Sequence, residues 1–198
     1  MSYREKNMCT KLRNLLEKYE SKDFKDMQIV EEFALDFCNE FDIITNNVPI
    51  VSIAQQLGFK IYVSIMNNRN ISGLLSVDER YMSKYGTDKI IKINKVDSIQ
   101  HKRFTIAHEI AHYIFDYKGG DFASVFYITD DEHNSHIEEQ RANRFAAAIL
   151  MKKDVFIDMF NAYKKEYNNH YELINCLAEK FNVSQKAVSL RIEELNLS

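Results

Sequence analysis

The stretch "FTIAHEIAHYIF" at positions 104 to 115 sets two histidines and one glutamate inside a run that is otherwise almost entirely apolar. Phe104, Ile106, Ala107, Ile110, Ala111, Ile114 and Phe115 put apolar groups on most sides of a helix, the mark of an element enclosed by the fold. Buried polar groups left without partners are costly. A chain carrying this helix must therefore bring something to it that satisfies His108, Glu109 and His112 together.

A metal ion does so. His108 and His112 are four residues apart, so on a helix they share a face and both imidazoles reach one ion. Glu109 is rotated by about 100° from His108, which keeps its carboxylate off the ion but close enough to take a proton from a water beside it. That is the mechanical sense of the HExxH pattern. A catalytic site of this kind takes three protein ligands and leaves one position open. The extended HExxHxxGxxH pattern fails, because Phe115 and Lys118 stand where its glycine and last histidine belong. The third ligand is therefore sought in "NSHIEEQRANRFAAAILM", where His136, Glu138 and Glu139 are candidates, with His133 just before it. Ala142, Phe145, Ala146 and Ile149 define a buried stripe, and Glu139 falls on that face while Glu138 and Gln140 point away. His136, one turn earlier, is the second choice. Tyr113, Tyr127 and His136 are near enough in sequence to stabilise an oxyanion, with nothing to choose between them. Two imidazoles and a carboxylate suit Zn2+, and Mn2+ also fits such a set.

Around this helix the chain reads as α+β, mostly helical. Helical spacing at Leu12, Leu15, Leu16 and Tyr19, and again from Ile29 to Phe41, predicts two amphipathic helices in a segment covering 1–46. A short helix ends at Leu57 before the glycine stop Gly58. Alternation at Ile61, Val63 and Ile65 suits a strand, strand-like segments follow at 71–77 and 89–94, and the lack of helical crossovers between them predicts a small three-stranded antiparallel sheet. Beyond Asn94 the pattern is helix at about 98–117, 135–151, 154–167, 171–181 and 185–195, with "KGGDFASVFYITDDEHN" as a loop and Asp154 and Ser184 as caps. The expected units are 1–46, a core over 47–151 and a helical unit over 152–198.

With 198 residues and a formal charge of −3, the chain carries no bulk attraction to nucleic acid or to an anionic membrane. Cys9, Cys38 and Cys176 are odd in number and widely spaced, which points to reduced thiols and a cytoplasmic setting. No secretory leader or membrane span is expected, since there is no run of about 18 apolar residues.

The segments "VPIVSIAQQLGFKIYV", "ISGLL", "IIKIN", "KRFTIAHEIAHYIF", "IEEQRANRFAAAILM" and "LAEKFNVSQKAVSLRIEEL", in that order, resemble the ImmA/IrrE metallo-endopeptidases over about 47–197. The resemblance implies a zincin-like domain, zinc held by His108, His112 and the Glu139 of an ExxAN motif, and Glu109 as general base. It implies an intracellular endopeptidase whose substrate is a helix-turn-helix repressor of a phage, mobile element or stress operon. One departure is Lys152, which replaces a proline common after this helix. The C-terminal segment has helix-turn-helix spacing. Its second helix balances Lys186 and Arg191 with Glu193 and Glu194, which argues against direct DNA binding and for packing or partner docking. The alternative reading is a regulator without enzymatic activity, in which a metal serves structure or sensing and the C-terminal helices bind DNA or a partner.

Overall fold

A computed structural model describes residues 8–127, 136–167 and 169–197. Its elements are α1 (Thr10–Lys18), α2 (Met27–Glu40), α3 (Ile50–Gln56), β1 (Phe59–Ser64), β2 (Ile71–Val77), α4 (Tyr81–Tyr85), β3 (Lys89–Asn94), α5 (Ile99–Phe115), β4 (Phe122–Tyr127), α6 (Ile137–Leu150), α7 (Lys153–Glu166), α8 (His170–Phe181) and α9 (Gln185–Glu194). Among the described residues no helix is long and apolar enough to cross a membrane.

The α5 helix carries the quoted stretch and sits at the centre. Ser98 starts it, its Oγ accepting from the His101 amide at 3.1 Å. From Thr105 to Phe115 every residue is buried. One side of α5 packs on β2 and β3 and the other on α6, so apolar residues are needed all round. Gly58 stops the chain after α3 in the left-handed region, at φ 90°, as its place in the sequence predicted. Ser184 caps α9 through the Ala187 amide, whereas Asp154 lies in the first turn of α7, whose cap position is Lys152.

The sheet corrects two expectations. It has four strands in the order β1-β3-β2-β4, and β1 pairs with β3 in parallel, Phe59 opposite Lys89 through Ser64 opposite Asn94. Parallel pairing needs a long return, and the expectation allowed only for a helical one; here β2 and the short α4 supply the length, with β2 adding on β3's far side. The fourth strand, β4, lies in the stretch read as a loop and pairs antiparallel with β2. Phe122, Ser124 and Phe126 alternate along one of its faces. The polar Ser124 in the middle interrupts the hydrophobic alternation by which strands are recognised.

One hydrophobic cluster runs through the described chain, from Leu12 and Phe33 at its start, through Ile110, Ile114 and Phe145, to Leu177, Phe181 and Ile192. Phe33 meets Phe115 and Phe145 at ring-centroid distances of 5.5 and 6.1 Å, so α2 packs across the end of the α5/α6 pair. The C-terminal helix is tied in by charge. Arg191, wholly buried, donates to the Met151 carbonyl at 3.2 and 3.1 Å, to Glu31 at 2.9 Å and to Glu194 at 3.2 Å. Removing one partner of a buried ion pair strands the other. Arg191→Ala is expected to lower stability by about 3 to 5 kcal/mol in urea denaturation; a loss below about 1 kcal/mol would put the pair with ordinary surface bridges.

Candidate metal centre

His108 and His112 project from α5 one turn apart, and α6 lies against that face. The two Nε2 atoms are 3.0 Å from each other. Glu139, in the first turn of α6, places its carboxylate between them, Oε2 at 3.2 Å from His108 Nε2 and Oε1 at 3.1 Å from His112 Nε2. The donor atoms of these three residues lie within 4.8 Å of one another, and they are the set among the described residues that could hold a metal ion. Small side chains let α6 come this close: Ala142 and Ala146 are fully enclosed along the contact.

Each imidazole is turned by a group behind it. His108 Nδ1 meets Asn143 Oδ1 at 2.9 Å, and His112 Nδ1 meets Asp116 Oδ2 at 2.7 Å. With Nδ1–H donated to those acceptors, both Nε2 lone pairs face the same point. Phe126 of β4 covers the His108 ring at 4.0 Å between centroids. Two like donors held 3.0 Å apart beside a carboxylate repel or must share protons. This donor chemistry fits a divalent cation, which takes three such lone pairs at once.

Glu109 lies beside this set with its carboxylate against the sheet, near Ser124 and Gly73. It is fully buried; its Oε2 accepts from Ser124 Oγ at 2.5 Å, and its Oε1 has no hydrogen-bond partner among the described residues. Burial pushes its carboxyl up to about 7, with Ser124 pulling the other way. For His112 burial works against the imidazolium, but hydrogen bonds to Asp116 and Glu139 outweigh it and carry the group up to about 10. Burial pushes His108 down, and Glu139, although burial would raise it, is held well below the usual carboxylate range by the two histidines.

The other candidates lie elsewhere. His136 occupies the cap position of α6 on the surface, and Glu138 is exposed, as is Gln140. His133 and the side chain of Tyr127 lie outside the described residues. Tyr113 is buried behind α5, stacked on Tyr117 and edge-on to Phe59. The sequence reading missed Ser124, Asn143 and Asp116. Two of them had a visible signal: Asp116 is four residues past His112, and Asn143 four past Glu139.

The IrrE N-terminal-like domain of the Peptidase_M78 family matches residues 54–193. The chain belongs to this family. Membership makes it a protein of the ImmA/IrrE group and implies a peptidase that works with a metal ion. A second likeness is weaker: an apicoplast ferredoxin–NADP reductase of Plasmodium falciparum is 26% identical over 138 residues, 63% of this chain and 31% of that protein. The chain thus spans under a third of that relative's length.

One glycine of this Peptidase_M78 chain is demanded by the site. A Cβ on Gly73 of β2 would stand 2.3 Å from Thr105 Cγ2 and 3.1 Å from Glu109 Oε1. The strand backbone lies directly on the helix that presents the glutamate. Gly73→Ala is expected to cost about 1 to 3 kcal/mol by overpacking, read as a lower thermal midpoint. Thr105→Ser, which removes the opposing methyl and keeps the hydroxyl that donates to His101 O at 3.0 Å, should recover most of the loss. An unchanged midpoint in Gly73→Ala would show that β2 and α5 stand further apart.

Proposed function

We propose that this chain is a metal-dependent endopeptidase, zinc in the first place with manganese as the other fitting ion, that cleaves a helix-turn-helix transcriptional repressor in the cytoplasm. The observation that carries the reading is the convergence of His108, His112 and Glu139 within 4.8 Å, with Glu109 buried one residue along the same helix. His108, His112 and Glu139 would hold the ion. When bound, such an ion supplies Lewis acidity, which activates water near neutral pH and polarises a carbonyl.

Glu109 takes the proton from the attacking water and returns it to the leaving amine. Its free Oε1 is the atom available for this, since Ser124 holds Oε2. Burial favours the work: a carboxyl raised to about 7 by desolvation accepts and gives up a proton more evenly than an exposed one. Asn143 and Asp116 orient the imidazoles. As an edge strand, β4 leaves one side unpaired among the described residues, and it crosses beside both Glu109 and His108. An extended substrate segment can lie along it, main chain to main chain.

The substrate class rests on the ImmA/IrrE relationship, and the cytoplasmic setting on the three free cysteines. The DNA-binding form of the regulator reading needs several basic residues on α9, but Arg191 is enclosed in ion pairs with Glu31 and Glu194, which leaves Lys186 as that helix's exposed cation. A repressor encoded beside this protein is the substrate to try first. The parent chain mixed with it should cut it, while Glu109→Gln should keep its metal and lose at least about 100-fold in rate. Equal cutting by Glu109→Gln removes the glutamate from the mechanism. His108→Ala should lose the near-stoichiometric metal that elemental analysis finds in the parent; a parent chain without metal after every preparation would return these residues to a purely structural role.

A further inference from the structure

Two residues outside the ligand set link the helices that carry it. Asp116, the residue that ends α5, uses both carboxylate oxygens: Oδ2 meets His112 Nδ1 at 2.7 Å, and Oδ1 accepts from the Arg141 guanidinium. Its own amide donates to the His112 carbonyl at 2.9 Å, so its backbone is fixed by the residue its side chain serves. Arg141 lies two residues beyond Glu139 on α6, and its guanidinium also stands over the Phe115 ring at 5.2 Å. The side chains of Asp116 and Arg141 are only 18% and 12% exposed. From His112 through Asp116 and Arg141 back to Glu139, the contacts close a ring through both helices.

We infer that Asp116 and Arg141 are positioning residues of the metal centre: Asp116 fixes the tautomer and orientation of His112, and Arg141 fixes Asp116 while locking α6 in register on α5. The inference rests on the reading of His108, His112 and Glu139 as ligands. A pair serving stability alone would have no need to spend one carboxylate oxygen on an imidazole whose other nitrogen faces Glu139. The two histidines are also backed differently. Asn143 behind His108 is neutral; Asp116 behind His112 is anionic and makes that ring the stronger electron donor. Arg141 tempers the charge and holds the carboxylate against the imidazole's Nδ1, through a charged hydrogen bond to its other oxygen. Since Glu139 and Arg141 share one turn, a shift of the ion pair moves the third donor relative to His112.

The test is zinc affinity of the full-length chain by competition with a chromophoric chelator, alongside the visible spectrum of the cobalt-loaded protein. Asp116→Asn keeps the shape and removes the charge; it should weaken zinc binding about 10- to 100-fold and shift the cobalt bands. Arg141→Met, which keeps the packing over Phe115, should lose less. The double variant should bind no more weakly than Asp116→Asn, because the arginine acts through the aspartate. The mostly enclosed pair also contributes to stability, so the metal-free unfolding midpoint is expected to fall in these variants, by less than the loss of zinc affinity would require. Zinc affinity of Asp116→Asn within about twofold of the parent, or a loss that only follows a fallen metal-free midpoint, would overturn the assignment. A parent chain that binds no zinc at all would instead remove the metal-centre reading beneath it.

Discussion

Burying His108, Glu109 and His112 on one helix is the constraint from which most of this fold follows. Left without partners, each would cost about 1 to 3 kcal/mol, and more if charged, a large share of the stability of a domain this size. The partners come from three places: Glu139 and Asn143 from α6, Asp116 from the helix's own end, and Ser124 from β4. An edge strand and a second helix must therefore both close on α5. The closeness needs small groups at the contacts, Gly73 on the sheet side and Ala142 and Ala146 on the helix side. Residues that look like mere spacing set how near the donors can come.

The outer elements hold this sandwich shut. Phe33 and Phe37 of α2 reach Phe145, and Phe33 also reaches Phe115, the residue just before Asp116. The same helix supplies Glu31 to the buried Arg191 of α9, which in turn holds the carbonyl at the end of α6. The N-terminal helices, α6 and the C-terminal helix are thus joined at one end by aromatic packing and charge, and α6 cannot slide along α5 without disturbing both. The convergence of His108, His112 and Glu139 from two helices depends on that restraint, because a shift of one helical turn, about 5.4 Å, would remove Glu139 from reach.

The helical part of the site was legible because its logic is local. The i, i+4 spacing of His108 and His112 and the buried stripe that carries Glu139 are properties of single helices, and those readings placed the same residues that the fold brings together. The sheet was less legible, because strand order is non-local. Nothing at Phe59 to Ser64 tells whether β3 runs beside it in parallel, since that depends on where β2 goes. In β4 a polar contact hid the strand: Ser124 donates to Glu109, so a polar group occupies a core-facing position that pattern reading expects to be apolar. Asp116 and Asn143 stood at visible spacings, but the meaning of those spacings appears only once both Nε2 atoms are seen to share a point.

The C-terminal helices make the same distinction between pattern and use. Leu177, Ala178, Phe181, Val188 and Ile192 have the spacing of a helix-turn-helix because two short helices joined by a tight turn must bury those positions against each other. Asn182, in the left-handed conformation at φ 51°, makes that turn whatever the unit then binds. Reading DNA is a further demand, met by cations on the outer face of the second helix. Here the arginine of that helix points inward, fully enclosed and committed to Glu31, Glu194 and the Met151 carbonyl. To release it toward a phosphate, the chain would have to expose Glu31 and open the end of α6, the helix that carries Glu139. In this protein the helix-turn-helix spacing ties the C-terminal helices to the end of the helix that carries Glu139.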